Sequence, residues 1–138
     1  MSTAPQRFDW VKARADCSVL VVFNQLRLAV EEDIKIINVT PRPLEYQPSF
    51  GIRSNWAGDC FVVFQVENSS LRVEFNCQRD YFEVTTQDNK QFKVTLTLNN
   101  EGRCKLRVDG GEELEEWQLR RMMLEDLFFT SSQGVLKK

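Results

Sequence analysis

The side chains of this chain that could do chemistry are carboxylates, lysines, tyrosines and four cysteines, because its 138 residues include no histidine. Without histidine, Ser-His-Asp and Cys-His nucleophilic systems and histidine-ligated zinc or iron sites are excluded. The runs Glu31-Glu32-Asp33 and Glu115-Glu116 pair carboxylates, but acid–base catalysis needs burial or a close partner to shift a carboxyl pKa. Both runs fall at helix ends or on polar faces. We therefore predict no enzymatic activity, no catalytic residue, no metal and no cofactor.

The four cysteines are not arranged as a CxxC pair. They are Cys17, Cys60, Cys77 and Cys104. The first eight residues are polar and include Pro5, unlike the apolar core of a signal peptide, so we expect a cytoplasmic protein. Because cytoplasmic thiols are kept reduced, we expect four free structural thiols. Cys104 alternates with apolar residues at positions 106 and 108, which predicts a small hydrophobic side chain in the core.

The segment from Gly51 to Asp59 is the best candidate for contact with a ligand, because it reads as a loop and functional side chains often lie on loops. Its candidate residues are Arg53, Asn55, Trp56 and Asp59. No GxGxxG pattern or P-loop lysine accompanies its glycines, so it is not a phosphate-binding fingerprint. The alternative is a structural hairpin whose Trp56 folds back onto the core, since large aromatic residues are mostly buried.

Five basic residues alternate onto the polar face of the predicted sheet, where they could contact phosphates. They are Arg72, Lys93, Arg103, Lys105 and Arg107. Glu74 and Glu83 dilute this charge, and the chain has a formal net charge of −2. Sheets that bind single-stranded nucleic acid also present aromatic rings for stacking, and here only Tyr81 clearly alternates onto this face. We expect a solvated outer face and no nucleic-acid partner.

The last helix is unusual because apolar side chains cover most of its circumference, whereas a helix that buries one face carries a single apolar stripe. Two arrangements remain open. The helix is wedged between the sheet and the first helix, or it buries a second face against another chain. Methionine and aromatic residues are enriched at protein interfaces. The interface candidates are Trp117, Met122, Met123, Leu127 and Phe128.

Hydrophobic periodicity assigns these residues to two helical regions and a sheet. Three- and four-residue spacing predicts one helix or two between Asp9 and Asn38, with Asp9 and Ser18 as candidate N-caps. The Thr40-Pro41-Arg42-Pro43 run must end this region, because proline removes a backbone donor and biases its predecessor to extended conformations. The second helical region opens with the acidic residues 112–116 and runs to about Phe129.

Period-two alternation from Leu44 to Val108 predicts five or six strands. The first predicted strand covers residues 44–52. The segment 60–66 is continuously apolar, which predicts a strand that is covered on both faces. Short turns between successive strands predict an antiparallel meander, which Gly110-Gly111 ends.

The fold class is therefore α+β, with an antiparallel five- to six-stranded meander sheet packed against an N-terminal and a C-terminal helix, in the order α-β5/6-α. Residues 1–138 are expected to form a single domain, with residues 1–8 and 130–138 flexible. No stretch approaches the roughly 18 apolar residues of a membrane span.

The segment from Phe82-Glu83-Val84-Thr85-Thr86 through Leu114-Glu115-Glu116-Trp117 resembles the end of a pleckstrin-homology domain. In that family, late strands lead into a final helix that carries a core tryptophan, so the resemblance implies a buried Trp117. The chain departs from the family by a surplus strand from Arg103 to Val108 and by a long helix before the sheet. Phosphoinositide binding is therefore not carried over.

These features favour a non-catalytic protein-interaction module that forms a homodimer, or binds another protein, through its C-terminal helix. The alternative is a domain that binds a small apolar ligand or lipid in a cavity between sheet and helices, a typical kind of small-molecule site. The sequence names neither the partner nor the biological process.

Overall fold

The helical region before the sheet consists of two helices. The computed structural model describes residues 8–41 and 48–130, and within them α1 spans Trp10–Asp16 and α2 spans Val19–Val39. The two candidate caps, Asp9 and Ser18, each accept a hydrogen bond from the backbone N–H three residues further on, at 3.0 and 3.4 Å. Both caps are confirmed. Ser18 has an extended backbone, and this break separates the two helices.

The sheet has seven antiparallel strands in sequence order, so the predicted meander is confirmed. They are β1 Phe50–Ser54, β2 Cys60–Gln65, β3 Asn68–Cys77, β4 Phe82–Thr85, β5 Gln91–Leu98, β6 Cys104–Val108 and β7 Glu113–Leu114. The count exceeds the predicted five or six because Glu113 and Leu114 pair with Arg107 and Leu106 instead of joining the last helix. Gly110, with a φ of 75°, allows the chain to turn back at this point.

The last helix, α3, spans Glu116–Glu125 and continues as a π-helical segment, Asp126–Thr130. It shares one face of the sheet with α2, and aromatic rings fill the space between these layers. The ring centroid of Phe23 in α2 lies 5.2 Å from that of Phe61 and 5.6 Å from that of Phe82, while Phe61 stacks on Phe75 at 4.5 Å. Phe50 contacts Phe128 in the same layer, at 4.9 Å. The predicted α+β architecture is therefore confirmed.

Some boundaries differ from those that the sequence predicts. The predicted edge strand begins only at Phe50, and its residues 44–47 lie outside the described residues, as do residues 42–43 of the connector. Residues 1–7 and 131–138 of the segments predicted to be flexible also lie outside them. The prediction that β2 is covered on both faces is wrong: Phe61 and Val63 are buried, whereas Val62 and Phe64 on the other face are only half-buried.

A disulfide between Cys17 and Cys104 joins the α1–α2 junction to the first residue of β6. The two Cα atoms are 5.4 Å apart although 87 residues separate them in sequence. The prediction of four free thiols is wrong for this pair, and Cys104 is exposed instead of buried in the core. Cys60 and Cys77 are free. A pairing over such a separation leaves no signal in the spacing, because connectivity cannot be read from sequence alone.

Candidate functional site

An open groove of about 480 Å³ lies between the C-terminal half of α2 and the last helix. We call it the helix groove. Its apolar lining is Ile36, Ile37, Trp117, Leu124, Phe128 and Phe129, and its polar lining is Asp33, Thr40, Arg120, Arg121 and Glu125. Other cavities at the surface of the described residues have volumes of about 180–430 Å³.

Three large apolar side chains at the helix groove remain half-exposed. The exposed fractions are 55% for Ile36, 54% for Trp117 and 48% for Phe129. Ile36 lies beside the buried stripe of α2, which packs on the sheet through residues such as Phe23, Leu26 and Val30. Scattered single apolar residues are normal on a protein surface, but several around one concavity mark a contact surface.

A partly buried ion-pair network connects the two helices at the helix groove. The guanidinium of Arg120 donates from Nη1 to Asp33 Oδ2 at 2.6 Å and from Nε to Glu116 Oε2 at 2.5 Å. Glu116 and Arg120 are four residues apart on the same helix, a spacing that favours an ion pair. Asp33 was not singled out for this role, because it lies 87 residues from Arg120 in sequence.

Burial and the neighbouring charges shift the pKa values of Glu116 and Arg120 in opposite directions. Burial raises the pKa of Glu116, and the neighbouring Arg120 only partly offsets that rise. For Arg120, burial disfavours the charged form, but the hydrogen bonds to Asp33 and Glu116 and their charges outweigh it, so the pKa of the guanidinium is raised. Arg120 therefore stays charged, and Asp33 and Glu116 share one cation.

The interface candidates divide between the core and two different surfaces. Met123, Leu127 and Phe128 are buried, so most of their surface contacts their own chain. Trp117 lines the helix groove, whereas Met122, 51% exposed, lines a separate cavity near the β4–β5 turn. One face of the helix therefore packs within its own chain, whereas Trp117 and Met122 remain exposed on its other faces. Trp117 is also not the core residue that the pleckstrin-homology resemblance implies.

The prediction that residues 51–59 form a loop is wrong for residues 51–54, which belong to β1, and only residues 55–59 form the hairpin turn to β2. Asn55 Oδ1 accepts hydrogen bonds from the backbone N–H groups of Gly58 and Cys60 at 3.0 and 3.2 Å, and its Nδ2 donates to Asp59 at 2.5 Å. Trp56 is 99% exposed, so it does not fold back onto the core. Arg53 lies in β1, with its guanidinium carbon 4.7 Å from the ring centroid of Phe64.

Most of the candidate basic face is occupied by contacts within the chain. Arg103 and Lys105 both pair with Glu115, and Arg107 pairs with Glu113 at 3.3 Å and donates to the carbonyl of Gly111 at 2.6 Å. Glu113 and Glu115 thus counter the charge of three of the five candidates.

The other two basic candidates lie apart from these pairs. The Lys93 ammonium lies 4.5 Å from the centroid of the Tyr81 ring. Arg72 lines a polar cleft with Ser70, Glu74 and Thr85. The five side chains therefore do not form one continuous free cationic surface.

Within residues 8–41 and 48–130, no three His, Cys, Asp or Glu side chains lie close enough together to hold a metal ion. No helix in the same ranges is long and apolar enough to cross a membrane.

Comparison with known proteins found no matching family model, no matching curated protein and no matching solved structure.

Proposed function

We propose that this protein is a non-catalytic interaction module that forms a homodimer through the helix groove. The observation that supports the proposal is the group of half-exposed side chains, Ile36, Trp117 and Phe129, around a groove of about 480 Å³. Burying such apolar area is the main favourable term in protein association. Tryptophan is also enriched among the residues that dominate binding energy.

A second copy of the chain is the occupant that the chemistry of the groove favours. An isologous contact requires one patch to be complementary to itself, and this patch carries both a projecting indole, Trp117, and a hollow beside it. Its charges are balanced, because Asp33 and Glu125 oppose Arg120 and Arg121 in the lining. Arg121 and Glu125 are exposed and 3.0 Å apart, so they can exchange partners across a two-fold axis.

The packing of the interior supports this proposal over the alternative of an apolar-ligand carrier. That alternative requires space between the sheet and the helices, where the rings of Phe23, Phe61, Phe75 and Phe82 are in contact. The helix groove is instead open on one side, as a protein-contact surface is. We retain ligand binding in this groove as an outcome of the test.

The compartment in which the module acts is a further part of the proposal. The cytoplasmic location expected from the polar N-terminus stays a prediction. The Cys17–Cys104 disulfide favours an oxidising compartment instead, because glutathione and thioredoxin keep cytosolic thiols reduced.

The test is sedimentation velocity of the full chain at micromolar concentration, with Trp117→Ser compared with Trp56→Ser. Trp56 is the matched control, because it is also an exposed tryptophan but lies at the β1–β2 turn. We expect a wild-type dimer and self-association weakened about thirtyfold or more by Trp117→Ser, since truncating an anchor residue costs about 2 kcal/mol or more. Trp56→Ser should dimerise like the wild type.

Ile36→Glu provides a second variant from the other side of the groove, and circular dichroism checks that each variant is folded. A wild-type chain that remains monomeric at about 100 μM, well above the micromolar range of many specific complexes, would contradict the proposal. Equal effects of the two tryptophan variants would also contradict it. A monomer that carries an apolar ligand in native mass spectrometry would support the carrier instead.

A further inference from the structure

Helix α1 is tied to the sheet at both of its ends by the β5–β6 hairpin. Before the helix, the ring of Phe8 packs against Gly102, where an added Cβ would collide with it. After the helix, Cys17 is bonded to Cys104. Gly102 and Cys104 are two residues apart, so one hairpin holds both ends of α1.

Little else in the structure holds α1 in place. None of its seven residues is buried, and Trp10 and Val11 are more than half exposed. Its polar contacts are local: Asp9 caps its first turn, and Lys12 pairs with Asp16 at 2.7 Å. A helix of this length is marginal in water without tertiary support, because nucleation is unfavourable and few hydrogen bonds follow it.

We propose that the Cys17–Cys104 disulfide is a redox latch whose reduction releases residues 8–16 from the sheet while the core remains folded. The reductant is a dithiol. One of its thiolates attacks the sulfur of Cys104, the more exposed of the two residues, breaks the S–S bond and expels Cys17 as a thiolate, which takes up a proton. The second thiol of the reductant then displaces Cys104 from the mixed disulfide. The protein gains two hydrogens, and the dithiol leaves as a disulfide.

The core does not depend on the latch for its contacts. Phe23, Leu26 and Val30 of α2 are fully buried, and the hydrophobic core that contains them includes no residue of α1. The consequence of opening is local: Arg14 moves away from a cavity of about 410 Å³ that it lines with Val19, Leu96 and Leu98. These half-buried apolar side chains then become more accessible in the reduced protein.

The latch is also independent of the proposed dimer. Cys17 precedes the first residue of α2, whereas the helix groove begins at Asp33. At about 1.5 Å per residue, the two features are roughly 24 Å apart along the helix. Reduction can therefore be tested whether or not the chain dimerises.

The experiment is hydrogen exchange of the full chain, measured by mass spectrometry before and after reduction with dithiothreitol. Cys104→Ser serves as a permanently open form. Cys60→Ser is the matched control, because it removes a free thiol and keeps the disulfide. We expect exchange in residues 10–16 to accelerate about tenfold or more on reduction and in Cys104→Ser, as for a segment that opens locally. Residues 71–77 of β3 and 82–84 of β4 should exchange far more slowly than residues 10–16, because the reduced core is less stable but still folded.

Three results would overturn the latch. The first is an oxidised protein whose peptide map lacks the Cys17–Cys104 bond. The second is equal exchange in residues 10–16 before and after reduction. The third is exchange in β3 and β4 as fast as in residues 10–16 after reduction, because the reduced core would then be unfolded. Cys60→Ser should respond to reduction as the wild type does.

Discussion

Asn38 joins the end of α2 to the beginning of β1 through both polar atoms of its side chain. Its Nδ2 donates to the carbonyl of Phe50 at 2.9 Å, and the backbone N–H of Phe50 donates to Asn38 Oδ1 at 2.8 Å. Both bonds are partly buried. This single residue therefore sets where the sheet starts relative to the helix.

We predict that Asn38→Ala lowers the free energy of unfolding by about 1–3 kcal/mol, because it removes two partly buried hydrogen bonds to the backbone of Phe50. Asn24→Ala is the matched control, since Asn24 is exposed on the same helix and such surface changes usually stay within about 0.5 kcal/mol. Urea unfolding of both variants and the wild type measures the difference. A loss for Asn38→Ala no larger than that for Asn24→Ala would show that the bonds to Phe50 contribute little.

Local sequence patterns predicted the roles of some residues but not those of others. Asp9 and Ser18 were recognised as caps because capping depends on neighbours within four residues. The contact of Asn38 with Phe50 was not expected, because position 38 carries only the signal of a helix-terminal polar residue. Trp56 was assigned two alternatives, contact with a ligand and a ring folded back onto the core, and its 99% exposure contradicts only the second.

The contact between α2 and the last helix combines apolar packing with one shared cation. Arg120 reaches Asp33 on the other helix while it pairs with Glu116 on its own. Burial is the largest of the effects on the Glu116 carboxyl, and it raises the pKa of this group above the ordinary value of 4.5. The folded protein thus binds the Glu116 proton more tightly than the unfolded chain does.

This shift predicts how stability depends on pH. Between 4.5 and the raised folded-state pKa, the folded protein holds more protons, so the contribution of Glu116 to the free energy of unfolding is fully present below 4.5 and is lost as pH rises through this window. Glu116→Gln cannot titrate. We therefore expect the wild type to lose stability relative to Glu116→Gln as pH rises from 4.5 towards neutrality.

The measurement is urea unfolding of the wild type and Glu116→Gln at several pH values across that window. Taking the difference between the two proteins removes the titration of the other carboxylates. A difference that changes in the opposite direction would mean that attraction to Arg120 outweighs burial and holds the Glu116 carboxylate in its charged form.

At the scale of the whole molecule, the disulfide closes most of the chain into one loop. It joins residues that are 87 positions apart, from the end of α1 to the start of β6. Closing a long loop reduces the conformational freedom of the unfolded chain, which stabilises the folded state by about 2–4 kcal/mol in typical proteins. The bond therefore affects global stability in addition to the position of α1.

We predict that Cys17→Ser and Cys104→Ser each lower the free energy of unfolding by about 2–4 kcal/mol under oxidising conditions. Domains of this size have total stabilities of about 5–15 kcal/mol, so both variants should remain folded. The wild type in dithiothreitol should match them in urea unfolding. Oxidised and reduced wild type with the same urea midpoint would contradict this prediction.

Local sequence patterns were sufficient to predict the α+β class, the antiparallel meander and two helical regions, together with the N-caps of the first region. These follow from periods of two and of three to four residues, which record the side of each strand or helix that faces the core, and from turns that act over a few residues. β7 was not predicted, because Glu113 fits the first turn of a helix equally well. Only its pairing with Arg107 identifies it as a strand residue.

Only the tertiary structure decided which surfaces meet and which remain exposed. The Cys17–Cys104 bond, the Asp33–Arg120 contact and the position of Ile36 beside Trp117 all join residues more than 80 positions apart. The helix groove therefore cannot be predicted from the sequence of either helix alone. Local periodicity records that a side chain is apolar or buried, but the identity of its neighbour depends on how the whole sheet turns and where the helices cross it.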